Sequence, residues 1–495
     1  MAITIIAQPQ DLSPAYNANY WYLDSTNKTE LGFRYLVSVV DTTLTETIGT
    51  YSLRPIPTTL YGEVDVAKLL QTALDIDFQP TLEFYNANKH ILNYRIDIDE
   101  EYFVNHPMSG YGFAGSSNWS EWGNPAINPN GLARTRITHA TEPPYVAGDI
   151  INIVQNVGIF NRTELEGIQT VLDVEQIGGI WSTILALPWI GGGTSLNAGI
   201  TSYADGQKTI IEGISSSVKD AFRGAFSFMT YGNYDHETYE LNSPLKKLLT
   251  TLPTNVRISR NNATWLAGYF TSLNNRVVFN INGTLYRYNL GSILGLINFN
   301  VLPSDDNIAE EFVLGSWIPF AGGLDLSEID RYTVQIRLSD DTELSEKVTV
   351  NLYDECDYFE TVDVCFLDRL GSWVTIPFNK ALRLNTSVER KMTRRKYGNF
   401  VGGQWQYNTT DAGAENYHVA ETLTFSITTG QLNETESQYM KELLSTPKAF
   451  VSFNSGEWQA MNIQNTTLAL PKKRTDRERK ATIDFTMSVQ DEING

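Results

Sequence analysis

The residues best suited to chemistry are few and scattered. The 495-residue chain holds five histidines, His90, His106, His139, His236 and His418, and two cysteines, Cys356 and Cys365. No two histidines stand four residues apart, as two zinc ligands on one helix face would. Two thiols without matching imidazoles do not make a structural zinc site. Neither a nucleophile elbow of the Gly-x-Ser-x-Gly type nor a phosphate-binding P-loop is present. Two acidic clusters, Asp97/Asp99/Glu100/Glu101 and Asp305/Asp306/Glu310/Glu311, have the residue type for calcium binding or for a glycosidase carboxylate pair. Neither has the central glycine and terminal glutamate of a twelve-residue calcium loop, and acidic clusters also keep strand edges soluble. Tyr111, Phe113, Trp119 and Trp122 lie in a Gly/Ser/Asn-rich stretch between Pro107 and Pro144, suited to stacking on a sugar or to anchoring a loop against a neighbour. The sequence therefore predicts no catalytic residue, no cofactor and no metal, and a protein that is not an enzyme.

Charge is more informative. The chain carries −20 overall, yet 380–396 holds seven bases against Glu389, and 472–480 holds six bases against two acids. Those two islands sum to +10, leaving −30 on the remainder. Basic islands in an acidic chain suit docking on acidic neighbours better than wrapping nucleic acid, which needs a broad basic face. Arg390, Lys391, Arg394, Arg395, Lys396, Lys472, Lys473 and Arg474 are the expected assembly contacts.

A second anomaly is apolar. No charged residue occurs from Ile177 to Ala204, which contains Trp181, Ile184, Leu185, Leu187, Pro188, Trp189 and Ile190 followed by three glycines. Pro188 and the glycines break it too often for a membrane-spanning helix. Trp181, Ile184, Leu185, Leu187, Trp189 and Ile190 read as an apolar loop covered by an assembly partner, a membrane or the domain's own core.

The elements that must position these groups are mainly strands. Aromatics make up 12% of the chain, with Tyr and Phe dominant, and Thr, Val and Ile are frequent. Asp65 caps a short helix to about Leu74 with Val66, Leu69, Leu70 and Leu74 as its stripe. Asn282-Gly283 centres a hairpin over 277–288, and a second hairpin spans Tyr332 to Leu352 around Ser339–Thr342. Thr163 to Gln176 reads as helical, Glu434 to Leu444 likewise, and Ile483 to Val489 as a closing strand. The expected architecture is mainly β and multidomain, with at least two fibronectin- or immunoglobulin-like sandwiches and a partly helical, apolar insertion. Its expected segments are an N-terminal β domain (1–158), the insertion (159–235), a second sandwich (236–355) and a mixed C-terminal domain (356–495). The N-terminus shows no secretory signal pattern.

Three stretches carry a resemblance: Phe33–Val40 with Leu53–Pro57 and Tyr61–Gln71; Val362–Phe378 with the basic segment after it; and Leu443–Val451 through Asn462–Thr467 to the final strand. In order and style they resemble structural proteins of tailed bacteriophages infecting Bacteroidetes, the crAss-like podoviruses above all. The resemblance implies a virion tail, neck or ring subunit assembled in the bacterial cytoplasm. Its partners would be copies of itself and other tail, neck or portal proteins. DNA would pass without specific binding, along an acidic wall that repels phosphate. Two other readings stay open: a host-surface carbohydrate-binding or depolymerase tail protein, and a membrane-penetrating tail-tip protein with transient host-membrane contact.

Overall fold

A computed structural model describes residues 3–495, apart from 113–118, 123–133, 140–141, 156–166, 178–179, 189–197, 205–206, 261–262, 306, 354–360, 411–412, 431, 433, 454–455, 466, 468–479 and 490–495. The protein is mainly β, as the composition requires, with short helices. Its contacts gather into two compact units: 1–9, 18–69 and 93–219 form the first; 10–17, 70–92 and 220–495 form the second.

In the first unit, strands Arg34–Asp41, Glu46–Leu53 and the long Ile91–Tyr102 pair in antiparallel fashion. Alternate residues Tyr35, Val37, Val39, Tyr94, Ile96 and Ile98 are buried, the period-2 pattern of a strand with one core face. The capping expectation holds: Asp65 Oδ1 accepts from Ala67 N at 3.0 Å, and helix Ala67–Ala73 follows. A separate seven-stranded antiparallel sheet runs in the order 119–122, 134–139, 180–188, 167–177, 150–155, 198–204, 105–112. Here the sequence reading needs correction. Residues 167–177 are a strand and not helix, and within the partly helical insertion expected over 159–235 the described elements are strands and the one-turn helix Phe228–Tyr231, joined by loops. Val171 is buried while its neighbour Leu172 is exposed, so the two point to opposite faces as strand neighbours do. A short apolar run satisfies either period, and pairing with 150–153 and 180–185 settles it. The stretch read as a long loop between Pro107 and Pro144 likewise contains strands of this sheet.

The second unit holds two large sheets. One has seven strands in the order 255–259, 348–353, 331–337, 275–281, 284–291, 310–313, 316–319. Both expected hairpins lie in it; Asn282 and Gly283 take φ of 51° and 92°, the left-handed pair that a two-residue turn needs. The other has ten strands in the order 381–394, 414–428, 482–487, 459–463, 449–453, 362–367, 373–378, 265–270, 295–300, 84–86. Its central strands are buried on both faces, and their alternate residues feed different cores. Leu266, Phe270, Ile297 and Phe299 pack with Val277, Phe279, Tyr332 and Ile336 of the seven-stranded sheet, a sheet-on-sheet interior. Val364, Phe366, Val374 and Ile376 pack with Tyr439, Met440 and Leu443 of helix Glu434–Ser445. On the opposite face Trp265, Cys365, Leu367 and Trp373 meet Leu12, Ile76, Tyr85 and Phe222. The turn from 367 to 373 is pinned by Asp368, whose buried carboxylate accepts from the amides of Leu370, Gly371, Ser372 and Thr251 and from the Thr250 hydroxyl.

Candidate assembly interface

Several of the groups with catalytic potential are held in structural contacts. His90 is fully buried, and its Nε2 accepts from Asp77 N at 2.8 Å. Burial, and secondarily the Arg223 charge, holds its pKa down at about 4. His139 is buried against Thr183 and Tyr145 at 2.7 and 3.1 Å, and burial likewise lowers it to about 4. His236 lies 3.5 Å from Glu240 on a short helical turn. The first acidic cluster is split between faces of its strand: Glu100 is buried against Ser25 and Asn27, Glu101 meets Lys208 at 2.9 Å, and Asp97 meets Arg95 at 3.0 Å. The second is divided too, with Asp305 bonded to the Gly323 and Leu324 amides and Glu310 to Arg287. Cys365 is buried with its thiol pKa pushed up by burial; Cys356 lies outside the described residues. Among the described residues no group of three or more His, Cys, Asp or Glu is placed to hold a metal ion. Side chains of His106, Tyr111, Phe113, Trp119 and Trp122 are also outside the description.

The apolar segment lies partly within the described residues. Trp181, Ile184, Leu185 and Leu187 belong to strand Ile180–Pro188 and not to a loop. Ile184 and Leu185 are completely buried within the chain, and Trp181 is half-buried. Those two aliphatics are core, so they offer nothing to a partner. Trp189 and Ile190 lie outside the described residues, as do Lys472, Lys473 and Arg474.

The other basic island forms the most unusual feature of the molecule. Strands Ala381–Arg394 and Ala414–Thr428 pair along their whole length into a hairpin. At about 3.3 Å per residue, its 14-residue strand is roughly 45 Å long. Among the described residues, only Thr424–Thr428 at its base pairs with a third strand, Thr482–Thr486. Beyond Leu423 the hairpin is a two-stranded arm, a form that is marginal in water without a partner. Arg390, Lys391, Arg394, Arg395 and Lys396 all lie on it and are exposed.

Register sorts the arm into two faces. Cross-strand pairs Arg383/Ser426, Asn385/Thr424, Ser387/Thr422, Glu389/Ala420 and Lys391/His418 make one face polar. Pairs Leu382/Ile427, Leu384/Phe425, Thr386/Leu423, Val388/Glu421 and Arg390/Val419 make the other largely apolar. The apolar face begins inside the core, where Phe425 stacks on Phe485 at 5.2 Å and Leu382 packs against the helix-covered cluster. It then runs out into solvent: Leu384 is 56% exposed, and Val388 and Leu423 37% each. A bulge after Lys391 re-aims the outer end. The tip is a small hairpin, Asn399–Val401 with Gln404–Gln406, turned by Gly402 and Gly403 at φ 60° and 84°. Around it Tyr397, Phe400, Trp405 and Tyr407 contact one another at ring separations of 5.3–6.2 Å while staying 41–72% exposed.

Charge pointed to this segment, but the apolar contribution was missed. The alternation of Leu382, Leu384 and Val388 and the aromatic-flanked Gly402-Gly403 were the available signals. No protein-family model matches the chain, and no curated protein does. A match among solved structures comes from work on the host cell surface retention of a 1.5-MDa bacterial ice-binding adhesin. It has 12% identity, covers 71% of this chain and 98% of that one, and superposes with a TM-score of 0.12. At that score the likeness carries no argument.

Proposed function

We propose that the chain is a structural subunit of a larger assembly and that the 381–428 arm is its docking element. The observation that carries this is the apolar face that leaves the core and continues, unpartnered, along a two-stranded ribbon. Leu384, Val388, Leu423 and the four aromatics of the tip each leave between about a third and three quarters of their surface in water, and each forgoes the corresponding fraction of the roughly 1.5–3 kcal/mol that full burial of a large side chain gives. Contiguous apolar surface of this kind marks association sites. The resemblance to Bacteroidetes phage structural proteins supplies the kind of assembly: a tail or neck ring through which DNA leaves. The carbohydrate-binding and membrane-penetrating readings rest mainly on Tyr111, Phe113, Trp119, Trp122, Trp189 and Ile190, whose side chains lie outside the described residues.

Sedimentation tests the reading. The wild-type chain at micromolar concentration should run as species larger than its 55.6 kDa mass. The triple variant Leu384→Ser, Val388→Ser, Leu423→Ser should run as a monomer with wild-type circular dichroism and only a modest fall in melting temperature, because Leu384 is 56% exposed in the lone chain and Val388 and Leu423 37% each. A wild-type chain that stays monomeric at high micromolar concentration overturns the proposal.

A further inference from the structure

The occupant of the arm's apolar face can be narrowed by charge, taking as given that the arm docks. Across 380–428 the arm holds seven bases and four acids, a net of +3, against −23 for the rest of the chain. Its open edge, strand Ala381–Arg394, carries Arg383, Arg390, Lys391 and Arg394 with Glu389 alone opposing them. Two such edges laid side by side in a symmetric pair would confront base with base, which is how natural sheets discourage edge-to-edge pairing. An isologous arm-to-arm dimer is therefore disfavoured.

The complementary surface exists on the same chain. Residues 301–353 carry eleven acids and three bases, a net of −8. They include the hairpin Glu310–Val313/Ser316–Pro319, which forms the far edge of the seven-stranded sheet. That hairpin is apolar at its tip as well: Leu314 is fully exposed, and Val313 and Ile318 are 37% and 38% exposed. Asp340 and Asp341 adjoin it, since Trp317 Nε1 donates to Asp341 at 3.1 Å. Arg287 lies within this surround, 2.6 Å from Glu310 and 3.8 Å from Asp341, so the acidic charge the hairpin offers a partner is carried chiefly by Glu311 and Asp340. An edge strand with exposed aliphatics beside those acids matches, in sign and in kind, an edge strand with exposed aliphatics and a basic surround.

We propose that the arm of one copy docks on the acidic 310–319 hairpin edge of a second copy, head to tail. Such a contact is heterologous: each subunit uses one surface to give and another to receive. Repeated, it generates a ring or an open filament and not a closed twofold dimer.

Charge exchange tests this. Arg390→Glu with Lys391→Glu and Arg394→Glu gives an arm-reversed chain; Glu311→Lys with Asp340→Lys gives a hairpin-reversed chain. Each alone should sediment as a monomer with wild-type circular dichroism and melting temperature. Mixed in equal amounts, they should regain at least half of the wild-type oligomer, because each arm then meets a hairpin of opposite sign. Full oligomer in the arm-reversed chain alone overturns the proposal, as does a mixture that stays monomeric. A wild-type chain that forms only a twofold dimer, or stays monomeric and binds duplex DNA through the arm, overturns it as well. If the Leu384/Val388/Leu423 variant abolishes wild-type assembly and charge exchange fails to restore it, the assembly role stands and this pairing falls.

Discussion

His90 and His139 look, by residue type, like the chain's best general bases, and their burial removes them from that role. Each is held near pKa 4, against 6.5 for the ordinary side chain, chiefly because burial disfavours the imidazolium. The unfolded chain takes up protons near pH 6.5 that the folded chain accepts only near 4. Between those values the unfolded state binds more protons, so folding stability rises with pH across the window and is lost as pH falls through it. Each histidine accounts for about 3 kcal/mol of that loss at the lower limit. Melting temperature should drop from pH 7 to pH 4, and in His90→Gln and His139→Gln the drop should be shallower than in wild type. Equal slopes in all three proteins would show that the carboxylates alone drive the acid transition. None of this was legible in the sequence, where all five histidines looked alike; burial is set by neighbours far away in the chain.

At the scale of elements, two anomalous segments exchanged places. The uncharged run holding Trp181 to Ile190 was the sharpest oddity by composition, yet Ile184 and Leu185 are core. Ile184→Ala should cost roughly 2–5 kcal/mol, as deletion of buried methyl groups does. Chemical denaturation measures it, and a change below about 1 kcal/mol would put the side chain outside the core. The basic run 380–396 was read as charge alone, and register added its apolar face. Alternation in Leu382, Leu384 and Val388 is visible in the sequence. What cannot be seen there is that the face has a cover at Phe485 and, among the described residues, no third strand beyond Leu423. Exposure is a property of what is absent opposite a strand, and periodicity does not report absence. Short hairpins declared by Asn282-Gly283 and by the Ser339–Thr342 turn were legible because turn chemistry is local.

For the whole molecule, the second unit depends on chain that precedes the first unit's end. Leu12, Ile76, Tyr85 and Ala87 cover Trp265 and Trp373, and strand Phe84–Asn86 closes the edge of the ten-stranded sheet. Residues 220–495 expressed alone should therefore aggregate or melt well below the full chain, although they contain most of the unit. A fragment as stable as the full protein in calorimetry would refute that dependence. Composition alone determined that the protein is mainly β, because β-branched and aromatic side chains fit a pleated, half-buried surface. Local turn and cap chemistry determined several hairpins and the helix after Asp65, because those bonds close within a few residues. The sequence also marked 380–396 as a basic island in an acidic chain, since charge density needs no fold to be counted. Tertiary structure alone decided that 167–177 is strand, that Ile184 and Leu185 are core, and that the basic segment stands out as an arm. Each of those outcomes rests on pairing between residues distant in sequence, where the free energy of burial outweighs any local preference.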